Sequence, residues 1–124
     1  MSKKILIADD EANIVRSLQF LMKREGFEVL VASDGEAALS LIATHRPDLV
    51  LLDVMMPKKS GFEVCQLVRA NADWHGVKVV LLTAKGRDVD VEKGLAMGAD
   101  TYITKPFATK ELVAKVRGML GLGE

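Results

Sequence analysis

The chain has a single cysteine, Cys65, and only two histidines, His45 and His75, in 124 residues. No internal disulfide can form, and there is no cluster of soft ligands for zinc or iron–sulfur chemistry. A reducing cytoplasm is the expected location. Charge of one sign is also missing, because 17 Lys+Arg balance 17 Asp+Glu. Domains that bind nucleic acid or anionic membrane through bulk charge carry a basic surplus, so neither is expected as a direct partner. Long apolar runs are absent as well. Lys3 and Lys4 resemble the flank of an export signal, but the apolar run 5–8 stops at Asp9, Asp10 and Glu11. No stretch approaches the roughly 20 apolar residues needed to cross a bilayer.

What is present is enough for one core. With 49% hydrophobic residues and no repeat or low-complexity segment, residues 1–124 read as one domain. Apolar runs at 5–8, 29–32, 49–52, 77–82 and 101–104 alternate with helical patterns, which is the signature of βα units and a parallel sheet. The first helix carries Ile14, Leu18, Leu21 and Met22 on one face and stops at Gly26. The second follows a capping box of Ser33 and Glu36, buries Ala38, Leu41 and Ile42, and ends before Pro47. The third opens on a box of Ser60 and Glu63 and turns Val64, Cys65 and Val68 inward. The fourth points Val91 and Leu95 inward and stops at Gly98. Thr109 caps the last, whose Leu112, Val113, Val116 and Leu120 share a face before Gly121 and Gly123. Five βα units are too few for an eight-fold barrel. Strands apolar on both faces need helices on both sides, so an α/β fold with an open doubly wound sheet is expected.

In such sheets ligands bind outside the carboxyl ends of the strands. The strand ends here carry Asp9 and Asp10 (first), Asp53 (third), Thr83 and Ala84 (fourth), and Thr104, Lys105 and Pro106 (fifth). Three carboxylates in one crevice repel one another unless a proton or a cation is taken up. Oxygen ligands without His or Cys favour Mg²⁺, which commonly takes one or two carboxylates plus a phosphoryl oxygen. A phosphate is therefore expected. Lys105 supplies a point charge for it, Thr83 a hydroxyl, and the central Asp53 a carboxylate able to act as the nucleophile.

These residues, in this order, resemble the receiver domain of bacterial two-component response regulators over nearly the whole chain. The resemblance rests on Ile7-Ala8-Asp9-Asp10-Glu11, Leu51-Leu52-Asp53-Val54-Met55-Met56-Pro57 with Gly61, Leu82-Thr83-Ala84, and Gly98-Ala99-Asp100 leading to Tyr102 and Lys105-Pro106-Phe107. It implies a flavodoxin-like sheet of order 2-1-3-4-5, and a signalling switch rather than a turnover enzyme. Asp53 is then the acceptor of a phosphoryl group from the phosphohistidine of a histidine kinase or histidine phosphotransfer protein. The resemblance further implies that Asp10, Asp53 and the Met55 backbone carbonyl contact Mg²⁺, with Mn²⁺ as a substitute, and that Asp9 acts through water. Thr83 and Lys105 hold phosphoryl oxygens, Tyr102 is a switch aromatic, and the Lys105–Pro106 peptide is cis.

The segment from Lys93 to Asp100, with Glu111, Lys115 and Arg117, resembles receivers of winged-helix transcription factors, which pair through that face. Phosphorylation-dependent homodimers follow from this, although Thr101 stands where that subclass carries a second acid. The output is expected from a separate effector or an output domain in cis, the chain being either free-standing or excised from a longer regulator.

Other functions fit less well. A flavin or nucleotide carrier needs an anion-binding loop after the first strand, whereas Asp9, Asp10 and Glu11 repel a phosphate unless a metal is bound. An aspartyl-nucleophile phosphatase resembles a pattern with acids two apart, and here they are adjacent. A degenerate receiver, acting as a phosphorylation-independent interaction module, is the remaining alternative, although every reactive position is filled. Asp9 and Asp10 alone would suit a helix start, Thr83 alone a strand end, and Tyr102 alone a half-buried strand. Trp74 and His75 carry no assigned role.

Overall fold

The computed structural model describes residues 2–122. Five strands, β1 (Lys4–Ala8), β2 (Glu28–Ala32), β3 (Leu49–Asp53), β4 (Lys78–Ala84) and β5 (Thr101–Lys105), alternate with helices α1 (Ala12–Arg24), α2 (Gly35–His45), α3 (Gly61–Ala70), α4 (Asp88–Ala96) and α5 (Thr109–Met119). All pairings are parallel, in the order β2-β1-β3-β4-β5. The order reverses between β1 and β3, and a crevice therefore opens at the carboxyl ends of these two strands.

Alternation along each strand divides the core into two layers. Leu6, Ala8, Val50, Leu52, Val79 and Leu81 face α2 and α3. Ile5, Ile7, Leu49, Leu51, Val80 and Leu82 face α1 and α5, where Leu18, Met22, Leu112 and Val116 are fully buried. Cys65 is buried in the first layer, and burial pushes its thiol up to about 11. Gly26 (φ 89°) and Gly98 (φ 109°) take the left-handed turns that end α1 and α4, where a side chain would be strained. Gly123 lies outside the described residues.

Three local expectations are corrected. The cap of α2 is Asp34, whose side chain accepts from the Ala37 amide at 2.8 Å, and not Ser33 with Glu36. Gly35 packs against the backbone of Lys59, which leaves no room for a side chain and starts the helix there. In α4 the inward residue is Gly94, seated against Leu81 and Phe62, while Leu95 is 43% exposed. Leu95 follows Gly94 about 100° round the helix and faces outward. In α5, Ala108 and not Thr109 holds the N-cap position, because the Leu112 amide closes the first turn on the Ala108 carbonyl at 3.0 Å. The box of Ser60 and Glu63 on α3 has both of its hydrogen bonds, each 3.2 Å.

Candidate functional site

Strand alternation decides which side chains reach the crevice. Asp9 continues the parity of Ile5 and Ile7, Asp53 that of Leu49 and Leu51, and Lys105 that of Ile103, so all three project from the same side of the sheet just past its apolar layer. Register sets their heights, with Asp53 beside Leu82 and Lys105 beside Ala84. The result is a bridge. Lys105 Nζ lies 2.7 Å from Asp9 Oδ2, 3.5 Å from Asp53 Oδ1 and 3.2 Å from Glu11 Oε1. Asp9 is fully buried and Asp53 nearly so. A buried carboxylate is costly unless paired, and Lys105 supplies the partner for both.

Three acids meet here. One carboxylate oxygen from each of Asp9, Asp10 and Asp53 lies within 4.8 Å of the other two, with Asp10 exposed and the other two buried. The Glu11 amide holds Asp9 Oδ1 at 2.9 Å, and the Met55 amide approaches Asp53 Oδ1 at 3.4 Å. Burial pushes the Asp53 carboxyl from 3.8 up to about 7, and the charge of Asp9 adds to the shift, while Lys105 and the Met55 amide oppose it. Burial alone would lower Lys105, but its bond to Asp9, the charges of Asp53 and Asp9 and its bond to Glu11 raise it overall. The ammonium therefore stays charged, and the acids are left with more negative charge than it can balance.

Thr83 stands at the end of β4 with its hydroxyl buried and without a hydrogen-bond partner. Such an orphan is expensive unless something completes it; it lies one residue beyond the position paired with Asp53 and has the parity of Val79 and Leu81, so it leaves the strand end from the opposite side of the sheet to Asp53 and Lys105. Oxygen-only donors, an excess of carboxylate charge and an unpartnered hydroxyl suit a hard cation and an oxyanion together. Tyr102 is not in the crevice group. It is half-buried against the first core layer, with Lys115 Nζ 5.4 Å from its ring centroid and bonded to its carbonyl at 2.9 Å. The side chain of Met55 is exposed, and the Lys105–Pro106 peptide is cis.

Residues 5–117 match the response regulator receiver domain. The chain belongs to this family. It is a receiver domain of the two-component response regulators, a family of signalling switches. It is 48% identical over 120 residues to the DNA-binding response regulator MtrA of Mycobacterium tuberculosis H37Rv, covering 97% of this chain and 51% of that protein. The chain thus spans about half the length of such curated relatives. A putative response regulator from Chloroflexus aurantiacus superposes with a TM-score of 0.94 at 32% identity, covering 98% of this chain and 99% of that one. The receiver domain of a sensor histidine kinase from Pseudomonas aeruginosa PAO1, with a magnesium ion coordinated in its active site cleft, gives a TM-score of 0.90 at 26% identity and covers 98% of this chain and 99% of that one.

Glu11 in the site, and Asp100 at the opposite, amino-terminal end of β4, are only partly legible in the sequence. Glu11 was visible only as part of an acidic run, yet it is the third carboxylate on Lys105. Asp100 was visible only within a motif, yet its carboxylate accepts from the Val79 amide at 2.7 Å and from Arg69 at 2.6 Å, fixing the start of β4. An unpaired acid in an apolar strand–turn context was the available signal for each, and it names no partner.

Proposed function

We propose that this receiver domain accepts a phosphoryl group on Asp53 from the phosphohistidine of a histidine kinase or histidine phosphotransfer protein. The observation that carries the reading is Lys105 Nζ placed between Asp9 and Asp53, at 2.7 and 3.5 Å. A carboxylate oxygen of Asp53 forms the new P–O bond as the donor's P–N bond breaks, and the departing imidazole keeps the electron pair and takes up a proton. Lys105 moves with the charge onto the phosphoryl oxygens, and the Thr83 hydroxyl donates to one of them.

Asp10, Asp53 and the Met55 backbone carbonyl would hold Mg²⁺, or Mn²⁺ in its place, with Asp9 acting through water. The magnesium ion coordinated in the active site cleft of the Pseudomonas receiver supports a divalent cation in this crevice. When bound, the cation neutralises oxygens of the transferring group and keeps Asp53 ionised, which burial and Asp9 otherwise oppose. Tyr102 would act as the switch aromatic once Thr83 moves toward the phosphoryl group.

We further infer that residues 1–124 form a single receiver domain acting in the cytoplasm, and no helix among the described residues is long and apolar enough to cross a membrane. Its output runs through a downstream effector or an output domain in cis, with homodimerisation after phosphorylation and no direct contact of this domain with nucleic acid. The experiment is site mapping. After incubation with a small acyl phosphate and MgCl₂, the label should be released by hydroxylamine, as an acyl phosphate is, and should map to the peptide containing Asp53. A hydroxylamine-stable label on another residue contradicts the reading.

A further inference from the structure

The turn that leaves β4 after Ala84 reaches Arg87 within three residues, and the guanidinium there is already engaged. Arg87 Nε donates to Asp90 Oδ2 at 3.0 Å and Nη2 donates to Asp90 Oδ1 at 3.3 Å. Arg87 also occupies the N-cap position of α4, where its carbonyl accepts from the Asp90 and Val91 amides at 3.0 and 3.2 Å. Both side chains line a cavity of about 340 Å³ that they share with Asp53, Met55, Ala84 and Lys105. The phosphoryl transfer described above makes no use of this pair.

Charge gives it one. Among the described residues the crevice gathers the carboxylates of Asp9, Asp10, Glu11 and Asp53 around the ammonium of Lys105. A phosphoryl group on Asp53 brings close to two negative charges and three strong acceptors into this space. A guanidinium matches such a group bidentately and binds it more strongly than it binds one carboxylate in water. Exposure sets which partner moves, since the Arg87 side chain is 61% exposed and that of Asp90 only 14%. The arginine is the free end of the pair, and an exposed ion pair is a weak hold.

We propose that Arg87 is a phosphoryl-responsive latch on α4. In the unphosphorylated chain it is pinned to Asp90. A phosphoryl group on Asp53 draws the guanidinium inward, which leaves Asp90 unpaired in the first turn of α4 and adds a third donor to the phosphoryl group beside Thr83 and Lys105. No covalent bond changes in this step, and the inference rests on Asp53 being the acceptor. Two effects follow from one movement. The phosphoryl group is shielded from water and lasts longer, and α4 learns of its presence through the side chain at its own N-cap position.

The test uses the ¹⁵N-labelled full chain with a small acyl phosphate and MgCl₂, following intact mass and the Arg87 Nε–Hε resonance in the same sample. That resonance is assigned by its loss in Arg87→Lys. In the wild type it should shift as the mass of one phosphoryl group appears, together with the amides of the first turn of α4. Arg87→Ala should gain the same mass and lose it several-fold faster. Asp90→Asn should show the resonance displaced before phosphorylation and should hold the phosphoryl group at least as long as the wild type. A resonance that stays put while the mass rises, with an unchanged lifetime in Arg87→Ala, overturns the latch and leaves Asp53 as acceptor. A wild-type chain that gains no mass overturns both.

Discussion

A β-carbon on Gly61 would overlap the backbone carbonyl oxygen of Asp53. The first residue of α3 is thereby pressed against the very residue proposed to accept the phosphoryl group, and the Gly61 amide secures the contact by donating to the Val54 carbonyl at 2.9 Å. The neighbour is backbone, which cannot rotate away. Gly61→Ala is therefore expected to push α3 from the end of β3, at a cost of about 1–3 kcal/mol in urea unfolding. Phosphorylation by an acyl phosphate should slow as well. Full stability and full rate in this variant would show that the contact does not position Asp53.

The crowded carboxylates set a pH dependence. Asp53 in the metal-free chain ionises near 7, against 3.8 when unperturbed, because of burial and the charge of Asp9. Between these values the native state holds a proton that the unfolded chain has released, so stability falls as pH rises from about 4 to about 7. Above that window the penalty is complete. Asp53→Asn removes it and should be more stable than the wild type at pH 8 in EDTA, by about 2–4 kcal/mol, with the two chains converging near pH 4. Parallel unfolding curves at both pH values would contradict this.

A cation relieves the same repulsion. Saturating Mg²⁺, at about 100 times its dissociation constant, should stabilise the folded chain by about 2.7 kcal/mol and raise Tm accordingly. Asp10→Ala should fold normally, because Asp10 is exposed, and should lose most of this gain. Thermal melts with MgCl₂ and with EDTA read both, and an equal Mg²⁺ shift in the variant would remove Asp10 from the ligand set.

Arg69 ties three segments together. Its guanidinium donates to the Gly98 carbonyl at 2.8 Å, to the Val77 carbonyl at 2.9 Å and to Asp100 at 2.6 Å. Arg69→Met keeps the stem and strands these acceptors, for an expected loss of about 2–3 kcal/mol measured by urea unfolding. A loss no larger than that of an exposed surface substitution would mean the acceptors find water instead.

How far the sequence could be read follows from which forces leave a local mark. Apolar runs and helical stripes write the sheet and its two layers directly, since Leu6 and Ile7 must face opposite sides whatever the tertiary detail. Acids at strand ends write the crevice, because Asp9 alone would suit a helix start but Asp9, Asp53 and Lys105 recur at matching strand ends. Contacts made by residues without hydropathy leave no such mark. Gly94 is the buried contact of α4, but periodicity sees only Val91 and Leu95. Ser33 and Asp34 are adjacent and both good caps, so the choice falls to the packing of Gly35 on Lys59. Glu11 and Lys105 meet across 94 residues of sequence, a pairing that only the closed sheet creates.

The central claim is that Asp53 takes up a phosphoryl group with the help of a cation. The most direct measurement is intact mass after incubation with a small acyl phosphate, with and without Mg²⁺, on the wild type and on Asp53→Asn. The account predicts a gain of one phosphoryl group that requires Mg²⁺ and disappears in Asp53→Asn. No gain under any condition, or an equal gain in Asp53→Asn, would contradict it.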